Sequence, residues 1–352
     1  MTDASLAAVA NFDEQQALDL RERQIAVLGS AKQIANVIYV VTELGIADLL
    51  VNGPVPVAQL AAATESHEDA LRRILRAASA VGIFDEQEDG SFALTPLGEG
   101  LTSARIGGLR PMVQFSGADF NRLPYAEILH SVRTGEPAFN KVFGMGFYDY
   151  LQAHPEANRF FEGFMAHWSR RLADRFAAEL APERFGRIAD IGGSNGYFLA
   201  KMLQRHPEGT GVLFDLPEVV ADAEPLLKEH GVTERVEVRG GDFFTDELPA
   251  GADAYILKSI VHNWPDDTCV RLLRRIRAAI GDADSRLIAI DQIVPPRNQW
   301  DHAKIIDIDM LVLFGGKERD LREWQALFTA SGFELANTPA SRGWALLEAR
   351  PI

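Results

Sequence analysis

Near the start of the chain, Ile25, Leu28, Ala31, Ile34, Ala35, Ile38, Val41 and Leu44 fall three or four residues apart, which predicts a helix from Arg21 to about Leu50. The pattern is apolar over much of the circumference, so this helix needs burial on more than one side. A small N-terminal domain cannot easily provide that alone, and packing against a second copy of the chain is expected. Val57 to Ala63 and Glu68 to about Val81 read as two further helices, the second with Leu71, Ile74, Leu75 and Ala78 inward. Gly82 closes it, and IFDEQEDGSFALT reads as two strands joined at Asp89-Gly90. Helix, turn, helix and hairpin make a winged helix.

From about Leu101 to Leu180 the chain reads as helical, rich in Phe, Tyr, Trp and Met and punctuated by Pro111, Pro124, Pro137 and Pro155. Beyond it the runs RIADIG, GVLFDL, RVEVRG, AYILKS and RLIAID alternate with helical stretches, the pattern of a parallel sheet covered by helices. The expected fold is α/β: a Rossmann-like domain over 181–352, a helical region over 106–180 and a mostly helical winged-helix domain over 1–105.

A length of 352 residues suits two domains, and the net charge of −15 argues against a nucleic-acid backbone as partner. Within the winged helix, Arg72, Arg73 and Arg76 are offset by Glu65, Glu68, Asp69, Asp85, Glu86, Glu88 and Asp89, so a DNA-binding regulator is the weaker reading. A module for packing or dimerisation is the stronger one. No apolar run is long enough to cross a bilayer. The acidic opening, with Asp3, Asp13, Glu14 and Asp19, is unlike a secretion signal. Cys269 is the only cysteine, which excludes an internal disulfide and fits the cytoplasm, and it reads as a small buried residue on a helix.

The run from Ile188 to Gly196 ends a strand, turns on Gly192 and Gly193, and opens a helix from Tyr197 to Arg205. Such a turn lets a ligand approach the backbone and faces it with unpaired amides. Asp215, followed by Leu216, ends the next strand about twenty residues on, where a carboxylate can hold two ribose hydroxyls. Gly241, Asp242, Phe243 and Phe244 follow the third strand and suit adenine, with a carboxylate for its amine and a ring for its face. Lys258 ends the fourth. Asp190 makes the turn acidic, which suits the amine of a methionine moiety better than two phosphates.

These residues resemble the plant and bacterial class I small-molecule O-methyltransferases of the caffeate, acetylserotonin and polyketide-tailoring type. The resemblance spans nearly the whole chain and rests on DIGGSNG, FDLP, GGDFF, LKSIVHNWPDD, IDQIVPP and GGKERD in that order. It implies S-adenosylmethionine as cofactor and S-adenosylhomocysteine as product, with Gly192, Asp215, Asp242, Phe243 and Lys258 in the cofactor site. It further implies His262 as general base, oriented by Asp291 and Glu318, a homodimer, and an aromatic acceptor. Phe161, Met165 and Trp168 on one helix face, with Met310 and Phe314 one turn apart, stand where the family contacts the acceptor. Ser194 departs from the family's usual third glycine, and Asp291 from a frequent glutamate.

A phenol with a pKa of about 10 is rarely ionised at neutral pH, so a base is expected, and an imidazole with an ordinary pKa of about 6.5 is neutral and able to accept the proton. No carboxylate cluster calls for a metal. A rival reading keeps the fold and cofactor but replaces methyl transfer by decarboxylation, hydroxylation or pericyclic chemistry.

Overall fold

A computed structural model describes residue 22 and residues 24–105, 108–337, 339 and 343–352, apart from the side chains of residues 166, 168 and 171. Two compact units divide the chain, the first ending at Asp119 and the second beginning at Phe120.

In the first unit, residues 24–29 are helical and α1 runs over Ala31–Glu43. The single helix expected to about Leu50 is interrupted at Gly45, whose φ of 65° turns the chain before a short helical segment, Ile46–Leu49. The expected start at Arg21 lies outside the described residues. A two-residue strand, β1 (Val55–Pro56), precedes α2 (Val57–Ala63) and α3 (Glu68–Ala80), and the hairpin β2 (Phe84–Glu86) and β3 (Ser91–Leu94) follows. The sheet order β1-β3-β2 makes the wing three-stranded, one strand more than the sequence pattern predicts. Asp89 accepts from the Ser91 N–H and hydroxyl and so fixes the turn. Val41, Ile46, Leu60, Leu71, Leu75, Phe84 and Phe92 form the core, whereas Ile25 and Leu28 are 70% and 73% exposed. A fourth helix, α4 (Arg110–Gly117), belongs to this unit and packs on α1.

The second unit holds α5 (Phe147–Ala153) and the long α6 (Pro155–Leu180), then alternates β4 (Arg187–Ile191), α7 (Tyr197–Arg205), β5 (Thr210–Asp215), β6 (Val236–Gly240), β7 (Ala254–Lys258), α8 (Asp266–Ile280) and β8 (Arg286–Ile293). After α9 (Ala303–Asp309) comes one π-helical turn (Met310–Phe314), then α10 (Leu321–Ala330), β9 (Phe333–Leu335) and β10 (Gly343–Pro351). The sheet order is β6-β5-β4-β7-β8-β10-β9. The five expected strands are parallel, and β10 and β9 close the sheet antiparallel.

Alternation along the strands sends Ala189, Ile191, Tyr255, Leu257, Leu287 and Ala289 to the face covered by α8 and α10, where Cys269 is buried as expected. Ile188, Ala254, Ile256, Ile288 and Ile290 go to the face covered by α6 and α7. With both faces buried, the strands need continuous apolar runs. Strand order reverses between β4 and β7, so the carboxyl ends there open a crevice. Among the described residues no helix is long and apolar enough to cross a membrane.

Candidate active site

The glycine turn after β4 is held by its neighbour strand: Gly192 N–H donates to Phe214 O at 2.7 Å. Gly192 has a φ of 73°, and a Cβ there would lie 2.5 Å from Ile260 Cδ1, so the position takes only glycine. Ser194 adopts φ 54°, left-handed as well, at a cost of roughly 1 kcal/mol for a residue with a side chain. Its backbone N–H donates to Asp215 Oδ2 at 2.8 Å, and Leu216 N–H donates to Asp215 Oδ1 at 2.7 Å. Asp215 therefore ties the turn to the end of β5 and does not cap the helix that follows.

Asp242 Oδ1 accepts from Phe244 N–H at 2.8 Å, which bends the backbone after β6 and brings the two rings together at 4.7 Å. Gly241 approaches the Phe214 ring, and Trp264 stands edge-on to Phe244 at 4.9 Å. Asp190 is buried, and its Oδ2 has no hydrogen-bond partner among the described residues. Burial pushes its carboxyl up to about 7, against the pull of Lys258, while Asp215 adds to the rise. Lys258, at the end of β7, is drawn below its ordinary range by burial, with Asp190 and Asp291 opposing. An orphaned buried acid beside a glycine cradle fits a ligand that brings its own cationic donor. The fit to S-adenosylmethionine, whose amino group is such a donor, is therefore good.

His262 sits on a 3₁₀ turn, Val261–Asn263, just beyond β7, and is 8% exposed. Its Nδ1 is 2.8 Å from Glu318 Oε1 and 3.8 Å from Asp291 Oδ1. Gln292 donates to the same Glu318 oxygen at 3.3 Å. Asp291 is fully buried and neither of its oxygens has a hydrogen-bond partner among the described residues. Burial holds its carboxyl at about 7, although His262, Arg319 and Lys258 oppose this. Burial alone would lower the imidazole, but Glu318 and then Asp291 outweigh it and raise His262 to about 9. Both acids thus act against the neutral imidazole expected from its ordinary pKa, Glu318 more strongly.

Phe161 meets Phe147 edge to face at 5.2 Å, and Phe147 meets Phe314 at 4.4 Å. Met310 is buried, Met165 is half-buried, and the side chain of Trp168 lies outside the described residues. Tyr148, which the sequence pattern does not single out, joins these rings at 6.1 Å from Phe314. Tyr148 stacks on Trp264 at 5.9 Å with planes 23° apart, and its phenol is raised by burial and by the charge of Asp215. The signal was present in the aromatic run Phe147-Tyr148, but helical spacing alone does not separate a pocket wall from a core. Among the described residues no cluster of His, Cys, Asp and Glu has the arrangement of a metal site.

Residues 125–334 match a model of the O-methyltransferase domain, and residues 31–104 match the O-methyltransferase dimerisation domain. The chain is 39% identical over 316 residues to phenazine O-methyltransferase PhzM of Lysobacter antibioticus, covering 90% of this chain and 92% of that one. It is 41% identical over 322 residues to the 8-amino-8-demethylriboflavin N,N-dimethyltransferase of Streptomyces davaonensis, with 90% and 92% covered. A solved structure of NcsB1, an O-methyltransferase from neocarzinostatin biosynthesis in complex with S-adenosylmethionine and 2-hydroxy-5-methyl naphthoic acid, superposes with a TM-score of 0.80 at 29% identity, covering 90% of this chain and 96% of that one.

Proposed function

The chain belongs to the S-adenosylmethionine-dependent O-methyltransferases, and on that premise we propose that it methylates a phenolic hydroxyl of a small aromatic specialised metabolite, with His262 as general base. The observation that carries this reading is the 2.8 Å contact of His262 Nδ1 with buried Glu318, on a turn between Ile260, which approaches Gly192, and Trp264, which stacks on Tyr148.

Bound S-adenosylmethionine supplies a methyl group already activated on a sulfonium. Asp190 would hold its amino group, with Gly192 and Gly193 along its tail, Asp215 and Leu216 at the ribose, and Gly241, Asp242, Phe243 and Phe244 at adenine. Lys258 would balance the two buried acids on either side. Phe161, Met165, Trp168, Met310 and Phe314 would fix the plane of the acceptor, and Tyr148 with Trp264 would close its edge.

With Nδ1 engaged by Glu318, the other ring nitrogen, Nε2, faces the acceptor and receives its proton. A phenol of pKa about 10 loses its proton to an ordinary imidazole uphill by about 3.5 units, but to one raised to about 9 by only about one. The carboxylates thus strengthen the base by on the order of 3 kcal/mol. An imidazolium already formed serves equally, because it pairs with an acceptor that arrives ionised. The remaining work is alignment of the oxygen with the methyl group.

We assign subunit pairing to 1–105, part of the acceptor wall to 106–180 and cofactor binding to 181–352. The dimerisation-domain match and the exposed Ile25 and Leu28 support a homodimer. The acidic composition supports a cytoplasmic enzyme without a nucleic-acid partner. Relatives that act in antibiotic pathways support a place in one, and the riboflavin N,N-dimethyltransferase relative makes an arylamine acceptor the second reading. The test is calorimetric titration with S-adenosylmethionine and S-adenosylhomocysteine, followed by a screen of phenols and arylamines with wild type and His262→Ala. Micromolar binding of both ligands, and methylation that H262A abolishes without loss of binding, is expected. Unchanged turnover by H262A would remove the base.

A further inference from the structure

Arg319, the last residue of GGKER, is 1% exposed, yet it carries a full charge among backbone carbonyls. Its Nη1 donates to Val261 O at 3.2 Å and its Nη2 to Trp264 O at 2.9 Å. These two carbonyls flank His262. The carbonyl of His262 itself accepts from Lys317 N–H at 3.0 Å. Behind the turn, Cys269 Sγ lies 3.2 Å from Val261 O and 3.3 Å from Trp264 O, and 3.4 Å from Arg319 Nη2. The guanidinium is countered by Asp266, whose Oδ1 is 2.9 Å from Nε and 2.7 Å from Nη2. The main chain of Arg319 is fastened to the end of β8, where Val294 N–H donates to its carbonyl at 3.0 Å.

We propose that Arg319 is a positioning residue for the reaction, whose planar fork holds the turn on both sides of His262 so that the imidazole meets Glu318 and the acceptor together. This rests on His262 being the base. Glu318 grips the imidazole and Arg319, the next residue, grips the main chain that bears it. Five donors in a rigid plane match this demand, and a lysine ammonium does not. The charged groups around His262 are Glu318 and Arg319 from the loop after the π turn and Asp291 from β8. Lys258 lies beyond Asp291, and Asp266 and Lys317 lie beyond Arg319. Arg319 is the positive charge that restrains the carboxylates' hold on the proton.

The experiment uses the full chain as wild type, R319K, R319M, D266N and H262A. Binding of S-adenosylhomocysteine counts competent sites, turnover per site is measured with 2-hydroxy-5-methyl naphthoic acid as probe, and the His262 imidazole is titrated by NMR of histidine-labelled protein, assigned through H262A. R319K is expected to bind S-adenosylhomocysteine within about threefold of wild type while turnover per site falls on the order of 50-fold, as for a reacting group displaced by about an ångström. D266N, which changes only the half-exposed partner, is expected to lose about fivefold. R319M is expected to raise the imidazole titration, because Arg319 lowers it in the wild type. A purely structural role would lower the number of competent sites in R319K and leave turnover per site unmoved. That result overturns the proposal. Should wild type not turn this probe over, turnover per site is read with a phenol or arylamine found in the acceptor screen, and the comparison of R319K with wild type decides. Full activity of H262A would sink the base and this proposal with it, whereas an inactive H262A beside an unimpaired R319K would sink the proposal only.

Discussion

Asp291 Oδ1 stands 3.8 Å from His262 Nδ1, beyond hydrogen-bond reach, although both side chains are buried. Asp291 therefore acts on the imidazole as a charge, while Glu318 acts as the acceptor that sets its direction. E318Q is expected to lower kcat/KM by on the order of a hundredfold or more, and D291N by about tenfold. Steady-state kinetics under one set of conditions makes the comparison, and equal losses would contradict the division of roles.

The pH dependence follows from the same contact. An imidazole raised to about 9 is protonated below that value, so kcat/KM should climb with an apparent pKa near 9. E318Q removes the carboxylate that raises the imidazole most and should move that limb toward the ordinary imidazole value of about 6.5. For the fold the sign is that of a raised group. The stabilisation from His262 is complete below about 6.5 and is lost as pH rises through about 9. A pH–rate series on wild type and E318Q checks the first point, and denaturant unfolding at both ends of the range checks the second.

Ser194 pays for a left-handed φ of 54° that glycine adopts freely. Ser194→Gly should relieve roughly 1 kcal/mol of strain, partly offset by the greater freedom of glycine in the unfolded chain. A net gain of up to about 1 kcal/mol in denaturant unfolding is expected, with cofactor affinity kept because the donor to Asp215 is a backbone N–H. A marked loss of affinity would show that the hydroxyl has a function.

Asp190 offers a buried, unpartnered oxygen. Asp190→Asn should weaken S-adenosylmethionine by about a hundredfold or more, the scale of the roughly 3 kcal/mol or more lost with one partner of a buried charge pair. Methylthioadenosine, which lacks the amino-acid tail, should bind both forms alike. Calorimetry with the two ligands separates a local loss from a damaged pocket.

The parts of the fold that repeat were readable in the chain. Apolar runs such as 212–214 and 254–257, each bounded by turn residues, read as strands buried on both faces, and Asp89-Gly90 marks its own turn. Asp215 and Asp242 stood out as candidates because each lies at or just past a strand end, and His262 because of the resemblance carried by LKSIVHNWPDD. Less legible was anything set by distance between segments far apart in sequence. His262 and Glu318 are 56 residues apart, and no local pattern tells 2.8 Å from 3.8 Å. Nor does sequence give the imidazole's proton affinity, which depends on that spacing and on burial. Tyr148 escaped because a residue that stacks on Trp264 has the same sequence appearance as one that fills a core. The closing strand β10 pairs with β8 in the reverse direction, and its register depends on contacts that span 50 residues and more.

At Gly316 a Cβ would fall 2.0 Å from His262 O, so the loop after the π turn and the loop bearing His262 are cut to one another's shape. For anyone redesigning the enzyme this draws a line along the chain. Residues 315–319 and 261–264 are one part that must be kept whole, whereas Met310 and Phe314, just upstream, together with Phe161 and Tyr148, can be varied as a set. If the proposed acceptor assignment holds, a library confined to those four side chains explores new acceptor shapes and leaves the paired loops of His262 and Glu318 intact.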